Sequence, residues 1–314
     1  MKITMISKAD FAASGYKTVE AIKRHTDHDI EIYVKRNTSR LGHKHGTFIR
    51  SDNFHEIQER INESDIVHVK GDWPPGNGYC NFQIMHKPVI VSVSGGYFRK
   101  KEHTGLGQFH PLQYNRATLK TAMTPDLCYP EYSNIWTPHP IDSDNNDIEW
   151  KRSSPPLFIH SRVSEKKGGK KGTDFIKKVW EHVAKKRKIE TEYITGIKLS
   201  DVIEARKRAT IFFDQFGVGF YGNSAIEAMQ YGIPTCGWIA PWALEQVRGD
   251  LMECPVLSLF EKDVEKWAKM ILDTLDSDMV DLSIQTKKWC DRIHGYKAIA
   301  KQWDELYQSI LWEK

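Results

Sequence analysis

The chain is short of several things. Only five of its 314 residues are cysteine, Cys80, Cys128, Cys236, Cys254 and Cys290. The number is odd and no two stand at C-x-x-C spacing. Neither a disulfide framework nor a thiolate zinc site is expected, and a reducing compartment is. No uninterrupted apolar run approaches the ~20 residues that a membrane span needs. The N-terminal segment MKITMISKADF has lysines but no apolar h-region, so it does not read as a signal peptide. A cytoplasmic protein is the expectation. A strong charge of one sign is also missing. The 45 Lys and Arg exceed the 41 Asp and Glu by only +4. That balance does not imply a nucleic-acid partner, but it suits a phosphate-bearing ligand locally. Neither a repeat of fixed short period nor a low-complexity tract is present.

What is there reads as an ordinary globular chain, 40% apolar and 27% charged. Its length allows one large domain or two of ordinary size. Strand-like runs alternate with helical patterns. KITMIS (2–7), DIEIYV (29–34), DIVHV (65–69) and PVIVSV (88–93) predict strands, with helical stretches around Val19–Ile22 and Phe54–Ile61 between them. Near-continuous apolar runs such as PVIVSV fit parallel strands buried on both faces. A polar, acidic and Pro/Ser-rich zone follows, and 146–156 is the best linker in the chain. A second pattern then begins: strand 157–160, helix 173–185, strand 192–195, helix 199–206, strand 209–214. The prediction is an α/β protein of two Rossmann-like parallel-sheet domains facing across a cleft. Ligands of open α/β sheets bind outside the carboxyl ends of the strands.

One segment draws attention, FFDQFGVGFYGNSAIEAMQYGIP (212–234). A strand ends at Asp214. Glycines at 217, 219 and 222 permit tight turning. A short helix over 224–231 is stopped by Gly232 and Pro234. Two readings of Ser224 and Glu227 stand side by side. Ser-Ala-Ile-Glu is the pattern of a capping box, with each side chain bonding the other residue's amide. Equally, the N–H groups at a helix start suit phosphate or sugar oxygens.

The passage GFYGNSAIEAMQYGIPT resembles the donor-binding motif of the retaining GT-B-fold glycosyltransferases that carry an E-x7-E signature, the GT4-like group. Further similarities occur in the family's order. SRVSEKKG (161–168) and KGTDF (171–175) resemble the segment that opens the second domain. AMTPD (122–126) and YSNIWTPHPID (132–142) resemble the passage before the linker, and residues 65–68 and 88–96 resemble strands of the first domain. The resemblance covers most of the chain and is strongest over 157–237.

What it implies is placed residue by residue. Glu227 matches the second signature glutamate, which binds the ribose hydroxyls of the nucleotide; a carboxylate can accept from both. Phe220, Tyr221, Gly222 and Asn223 match the loop whose amides hold sugar and diphosphate, next to Ser224. Arg162 and Lys167 match the cationic pair on the diphosphate, and Lys171 competes for the lysine's role within a crowded basic run. Ser14 and Gly15 match the first-domain loop that approaches the diphosphate from the other side. The implied domains are an acceptor-side domain over 1–145, a nucleotide-sugar domain over 157–295, and a last helix, 296–314, crossing back to the first. Arg162, Lys167 and Glu227 are the implied catalytic set.

The sequence departs from the family in two places. Gly219 stands where the first signature glutamate falls, with Asp214 and Gln215 upstream as substitute polar groups. Ser94 replaces the histidine of the first domain's HG pair, before Gly95. Tyr97, Arg99, His103 and His110, together with Ser94 and Gly95, are the acceptor-side candidates, and His68 is a weaker one. Two D-x-D strings, 142–144 and 276–278, lie in polar connecting sequence and are rejected as metal sites. No metal and no cofactor is expected. The co-substrate is a nucleotide-diphosphate sugar, a UDP-sugar first.

The implied function is metal-independent, retaining transfer of a sugar to an acceptor hydroxyl on a glycan or glycolipid precursor. A second version puts the same chemistry on a modified DNA base. Basic residues at 36, 40, 44, 50 and 99–101, interleaved with His43, His45, Tyr97 and Phe98, would suit that acceptor. Other classes are a sugar-nucleotide epimerase or hydrolase, and a non-catalytic nucleotide-sugar binder. The apolar stripe Trp303, Leu306, Tyr307 and Ile310 reads as core.

Overall fold

The computed structural model describes residues 1–36, 46–71, 82, 84, 87–93, 117–128, 134–161, 171–196, 199–246 and 254–312. The chain divides into two compact units. The first comprises Met1–Asp142 with His294–Lys314, and the second Ser143–Ile293.

The first unit is built on a seven-stranded sheet. Its strands are β1 (Lys2–Ala9), β2 (Asp29–Arg36), β3 (Thr47–Phe48), β4 (Ile66–Lys70), β5 (Val89–Val93), β6 (Leu119–Ala122) and β7 (Ile135–Trp136), in the order β3-β2-β1-β4-β5-β6-β7. All pairings are parallel. Every residue of β4 and β5 is buried, as expected of parallel strands covered on both faces. Helix α1 (Ser14–His25) packs on one face through Val19, Ala21 and Ile22. Helix α2 (Phe54–Glu63) follows β3, and Ser64 just beyond it bonds Thr4 of β1 at 2.7 Å.

In the second unit β8 (Leu157–Ser161), β9 (Glu190–Ile194), β10 (Ile211–Phe213) and β11 (Thr235–Cys236) form a parallel sheet in the order β11-β10-β8-β9. Its helices are α3 (Thr173–Ala184), α4 (Leu199–Lys207), α5 (Asn223–Met229), α6 (Pro241–Gln246), α7 (Val264–Asp276) and α8 (Met279–His294). The core joins Phe158, Phe212 and Phe213 of the sheet to Trp180 of α3 and Trp267 of α7. The final helix α9 (Tyr296–Trp312) belongs to the first unit. Its Trp303, Tyr307 and Ile310 are buried against Ile3, Met5, Val19 and Ile22, with Leu306 partly buried beside them.

One expectation needs correction. The stretch 146–156 is not a free connector. It lies inside the second unit, where Trp150 joins the core and its indole N–H donates to Thr210 O at 3.1 Å. Ser153 and Thr210 hydroxyls also meet at 2.6 Å. The polar composition signalled a linker, but one buried tryptophan anchors the segment. The chain returns to the first unit at His294. Among the described residues no helix is long and apolar enough to cross a membrane.

Candidate functional site

In the second unit β10 delivers Asp214 to the head of the glycine-rich loop. Its carboxylate is fully buried, forms an ion pair with the Lys171 ammonium and accepts from the Gly222 amide at 2.5 Å. Gln215 Nε2 donates to Phe220 O at 2.5 Å, and the Phe220 amide donates to Val218 O at 2.8 Å. These bonds fold 214–222 on itself. Asp214 and Gln215 therefore shape the loop, and the Asp214 carboxylate also ties it to Lys171.

The side chains of Phe220 and Tyr221 are buried too, with ring centroids 3.9 Å apart and Tyr221 edge-on to Trp289 at 5.8 Å. Burial pushes the Tyr221 phenol well above its ordinary value. Both rings are core, so only their backbone is available for a donor role.

Gly219 has a steric reason. A Cβ there would sit 2.8 Å from Ala240 Cβ and 2.9 Å from Trp242 Cζ2. The place where a glutamate side chain would start is already filled by packed carbon.

Helix α5 starts at Asn223 and ends at Met229, one residue earlier and two residues sooner than expected. Its N-cap is Gly222, in extended conformation and without a side-chain cap. Ser224 and Glu227 therefore do not form the capping box. Both turn to Arg206 of α4. The Glu227 carboxylate is ion-paired with Arg206 Nη1 through Oε2. Arg206 Nη2 donates to Ser224 Oγ at 3.2 Å, and Nε and Nη2 each lie 3.4 Å from Ser161 Oγ. The guanidinium also sits 5.4 Å from the centroid of the Phe212 ring. Arg206 is 5% exposed. Sequence reasoning missed it, because its neighbours Lys207 and Arg208 carry the same signal. Those two pair with Glu149 and Glu204, and with Glu192, on the surface.

In the first unit the turn between β1 and α1 is tied by Asp10. The buried carboxylate accepts from Gly15 N at 2.7 Å and Tyr16 N at 2.9 Å, and pairs with buried Lys70 at 2.9 Å. Burial alone would raise the Asp10 carboxyl. The Lys70 ammonium and the two amides outweigh it and hold the group below its ordinary value. Ala12 and Ala13 both adopt left-handed backbone, φ 54° and 53°, which only a strongly determined turn retains. A Cβ on Gly15 would lie 2.6 Å from Ile32 Cδ1 and 2.9 Å from Lys70 Cδ. The Gly15 amide is thus held by the protein's own carboxylate. Ser14 is 3% exposed, and its carbonyl accepts from Thr18 Oγ1 at 2.8 Å.

His68 is a core residue. Its ring meets Tyr307 Oη at 3.0 Å and Ser92 Oγ at 2.6 Å, and lies 4.5 Å from the Trp303 ring. Burial, with Lys70 adding to it, lowers its pKa to about 3. In the D-x-D strings Asp142 pairs with Arg24 at 2.7 Å and Asp276 with Arg187 at 2.5 Å. Asp278 Oδ1 accepts from Val280 and Asp281 amides at 3.0 Å, as an ordinary helix cap. Among the described residues no group of three or more His, Cys, Asp or Glu is placed to hold a metal. Arg162, Lys167, Ser94, Gly95, Tyr97, Arg99, His103 and His110 lie outside the described residues, as do Arg40, Lys44, Lys100 and Lys101 of the basic set.

No family model and no curated protein matches this sequence. Solved structures do. A glycosyltransferase from Rickettsia africae is similar at 12% identity and TM-score 0.61, with 98% of each chain covered. Anabaena HepE, solved with UDP and glucose, is 10% identical with TM-score 0.64, over 98% of this chain and 100% of its own. An alpha-glucosyltransferase solved with UDP and a 13-mer DNA containing an HMU base is 11% identical with TM-score 0.65, over 98% and 99%. At such identities the likeness shows the fold: an α/β architecture of two Rossmann-like parallel-sheet units, the GT-B class.

Proposed function

We propose that the chain is a glycosyltransferase that moves a sugar from a nucleotide-diphosphate sugar, a UDP-sugar first, to an acceptor hydroxyl. The observation that carries this reading is the Arg206–Glu227–Ser224 cluster beside the glycine loop of the second unit. It pairs a buried guanidinium with the carboxylate of the residue that the family resemblance assigns to the ribose. The whole-chain likeness to glycosyltransferases, HepE with UDP among them, supports it. Glu227 accepts from the ribose hydroxyls. Arg162 and Lys167 neutralise the diphosphate as the glycosidic bond breaks and charge grows on the leaving oxygens. Lys167 takes that part in preference to Lys171, whose ammonium is committed to buried Asp214. Transfer is retaining and needs no metal: the departing phosphate takes the acceptor proton on the same face. Ser94, Gly95, Tyr97, Arg99, His103 and His110 form the acceptor side, with a glycan or glycolipid precursor bound there.

The test is titration of UDP into the wild type, Glu227→Gln and Arg162→Ala. Glutamine keeps the shape beside Arg206 better than alanine. Both variants should bind UDP at least tenfold more weakly while keeping a cooperative thermal transition. Unchanged affinity in Glu227→Gln refutes the donor role. The anomeric configuration of the product, read by NMR, tests retention, and activity in excess EDTA tests metal independence. Transfer to a modified DNA base, with salt-sensitive binding of DNA, would replace the glycan acceptor by the nucleic-acid one. Release of free sugar and nucleotide without an acceptor would mark a hydrolase.

A further inference from the structure

One closely tied polar cluster of the second unit has Arg206 at its centre. The mechanism proposed above does not use that residue. A guanidinium that is 5% exposed is costly to bury, and it persists only when its charge and N–H groups are matched. Here the match is specific. Nη1 pairs with Glu227 Oε2, Nη2 reaches Ser224 Oγ at 3.2 Å, and Ser161 Oγ lies 3.4 Å from Nε and Nη2. Phe212 covers the guanidinium at 5.4 Å. The contacts bind three elements together: the end of β8 through Ser161, β10 through Phe212, and α5 through Ser224 and Glu227. A planar fork held on several sides leaves the carboxylate it pairs with little rotational freedom. Pairing at Oε2 does not exhaust a carboxylate, which has about four lone-pair sites. The cation also offsets the negative charge that Glu227 would otherwise present to an anionic ligand.

We propose that Arg206 is the positioning residue of the nucleotide site. It aims the Glu227 carboxylate and neutralises its charge, so that a nucleoside diphosphate is accepted beside it. This rests on the reading of Glu227 as a donor-site residue. It assigns Arg206 no contact with the ligand; the effect passes through Glu227 alone.

That restriction makes a double-mutant cycle decisive. UDP is titrated calorimetrically, well below the melting temperature, into the wild type, Arg206→Met, Glu227→Gln and the double variant. Arg206→Met should weaken UDP binding at least tenfold in the wild-type background. In the Glu227→Gln background it should change affinity by less than twofold. Arg206→Lys, which keeps the charge and loses the fork, should fall between wild type and Arg206→Met. Equal losses in both backgrounds would overturn the inference, because Arg206 would then act independently of Glu227. So would an Arg206→Met variant that binds UDP within twofold of wild type. Should Arg206→Met not fold, the cycle is run with Arg206→Lys, and the same two outcomes decide. A wild-type protein that binds no UDP sinks the donor reading itself, and this inference with it; UDP binding by the wild type with an additive cycle sinks only the role of Arg206.

Discussion

Each unit holds a buried carboxylate–lysine pair just after a strand, and each pair grips a glycine amide. In the first unit these are Asp10, Lys70 and Gly15; in the second, Asp214, Lys171 and Gly222. The local devices look alike, but they end differently. Asp10 takes the amides of Gly15 and Tyr16, which belong to the first turn of α1, so a protein anion fills the place that an external anion would seek. Asp214 takes the amide of Gly222, the residue before α5, and Ser224 and Glu227 of α5 turn to Arg206. Exposure differs as well. The lysine side chain is 4% exposed in the first pair and 15% in the second. A glycine turn before a helix therefore does not by itself mark a ligand site. What matters is whether the chain already supplies the anion.

The largest expected effect of a single substitution breaks the first pair. Asp10→Ala leaves Lys70 buried without its counter-charge and frees two amides, and should cost about 3–5 kcal/mol in urea denaturation. Asp214→Ala should cost less, about 1–3 kcal/mol, because Lys171 is nearer to solvent. Equal losses would erase the distinction between the units.

Close packing comes next. Gly15→Ala and Gly219→Ala each place a methyl within 3.0 Å of packed carbon, and each should lose about 1–3 kcal/mol of stability. If Gly219→Ala is neutral, the steric account of the missing glutamate fails.

Acid should weaken the first unit through His68. Its folded pKa, about 3, lies below the unfolded value of 6.5, so the unfolded chain binds the extra proton first. The His68 contribution is full above pH 6.5 and falls by about 1.4 kcal/mol per pH unit below it, until the folded value is reached. Buried His294, lowered to about 4, acts in the same direction. Asp10 adds a further loss below about 3.8, where its carboxyl begins to protonate in the unfolded chain, and Asp10→Asn should remove that part. Urea midpoints measured from pH 7 to pH 3 check all three. The smallest effect is the control: Lys269→Ala, in an exposed i,i+4 pair with Asp273, should change stability by 0.5 kcal/mol or less.

Much of this molecule was legible in advance. Apolar runs of five or six residues marked β4 and β5 as buried parallel strands, and the glycine-proline punctuation bracketed α5 to within two residues. The stripe of α9 read as core and is core. The failures share one cause. A capping box and a free linker were each read from neighbours in sequence, and each was overruled by a partner distant in sequence. Glu227 is drawn to Arg206, 21 positions away, and Trp150 to Thr210, 60 away.

The amino-acid order by itself determined the α/β class, the division into two parallel sheets and the position of the glycine loop, because backbone periodicity and turn chemistry act over a few residues. Which charge meets which was decided only by the tertiary structure. A buried cation must find an anion wherever the fold brings one, and nothing in the run EARKRA tells Arg206 apart from the surface charges beside it.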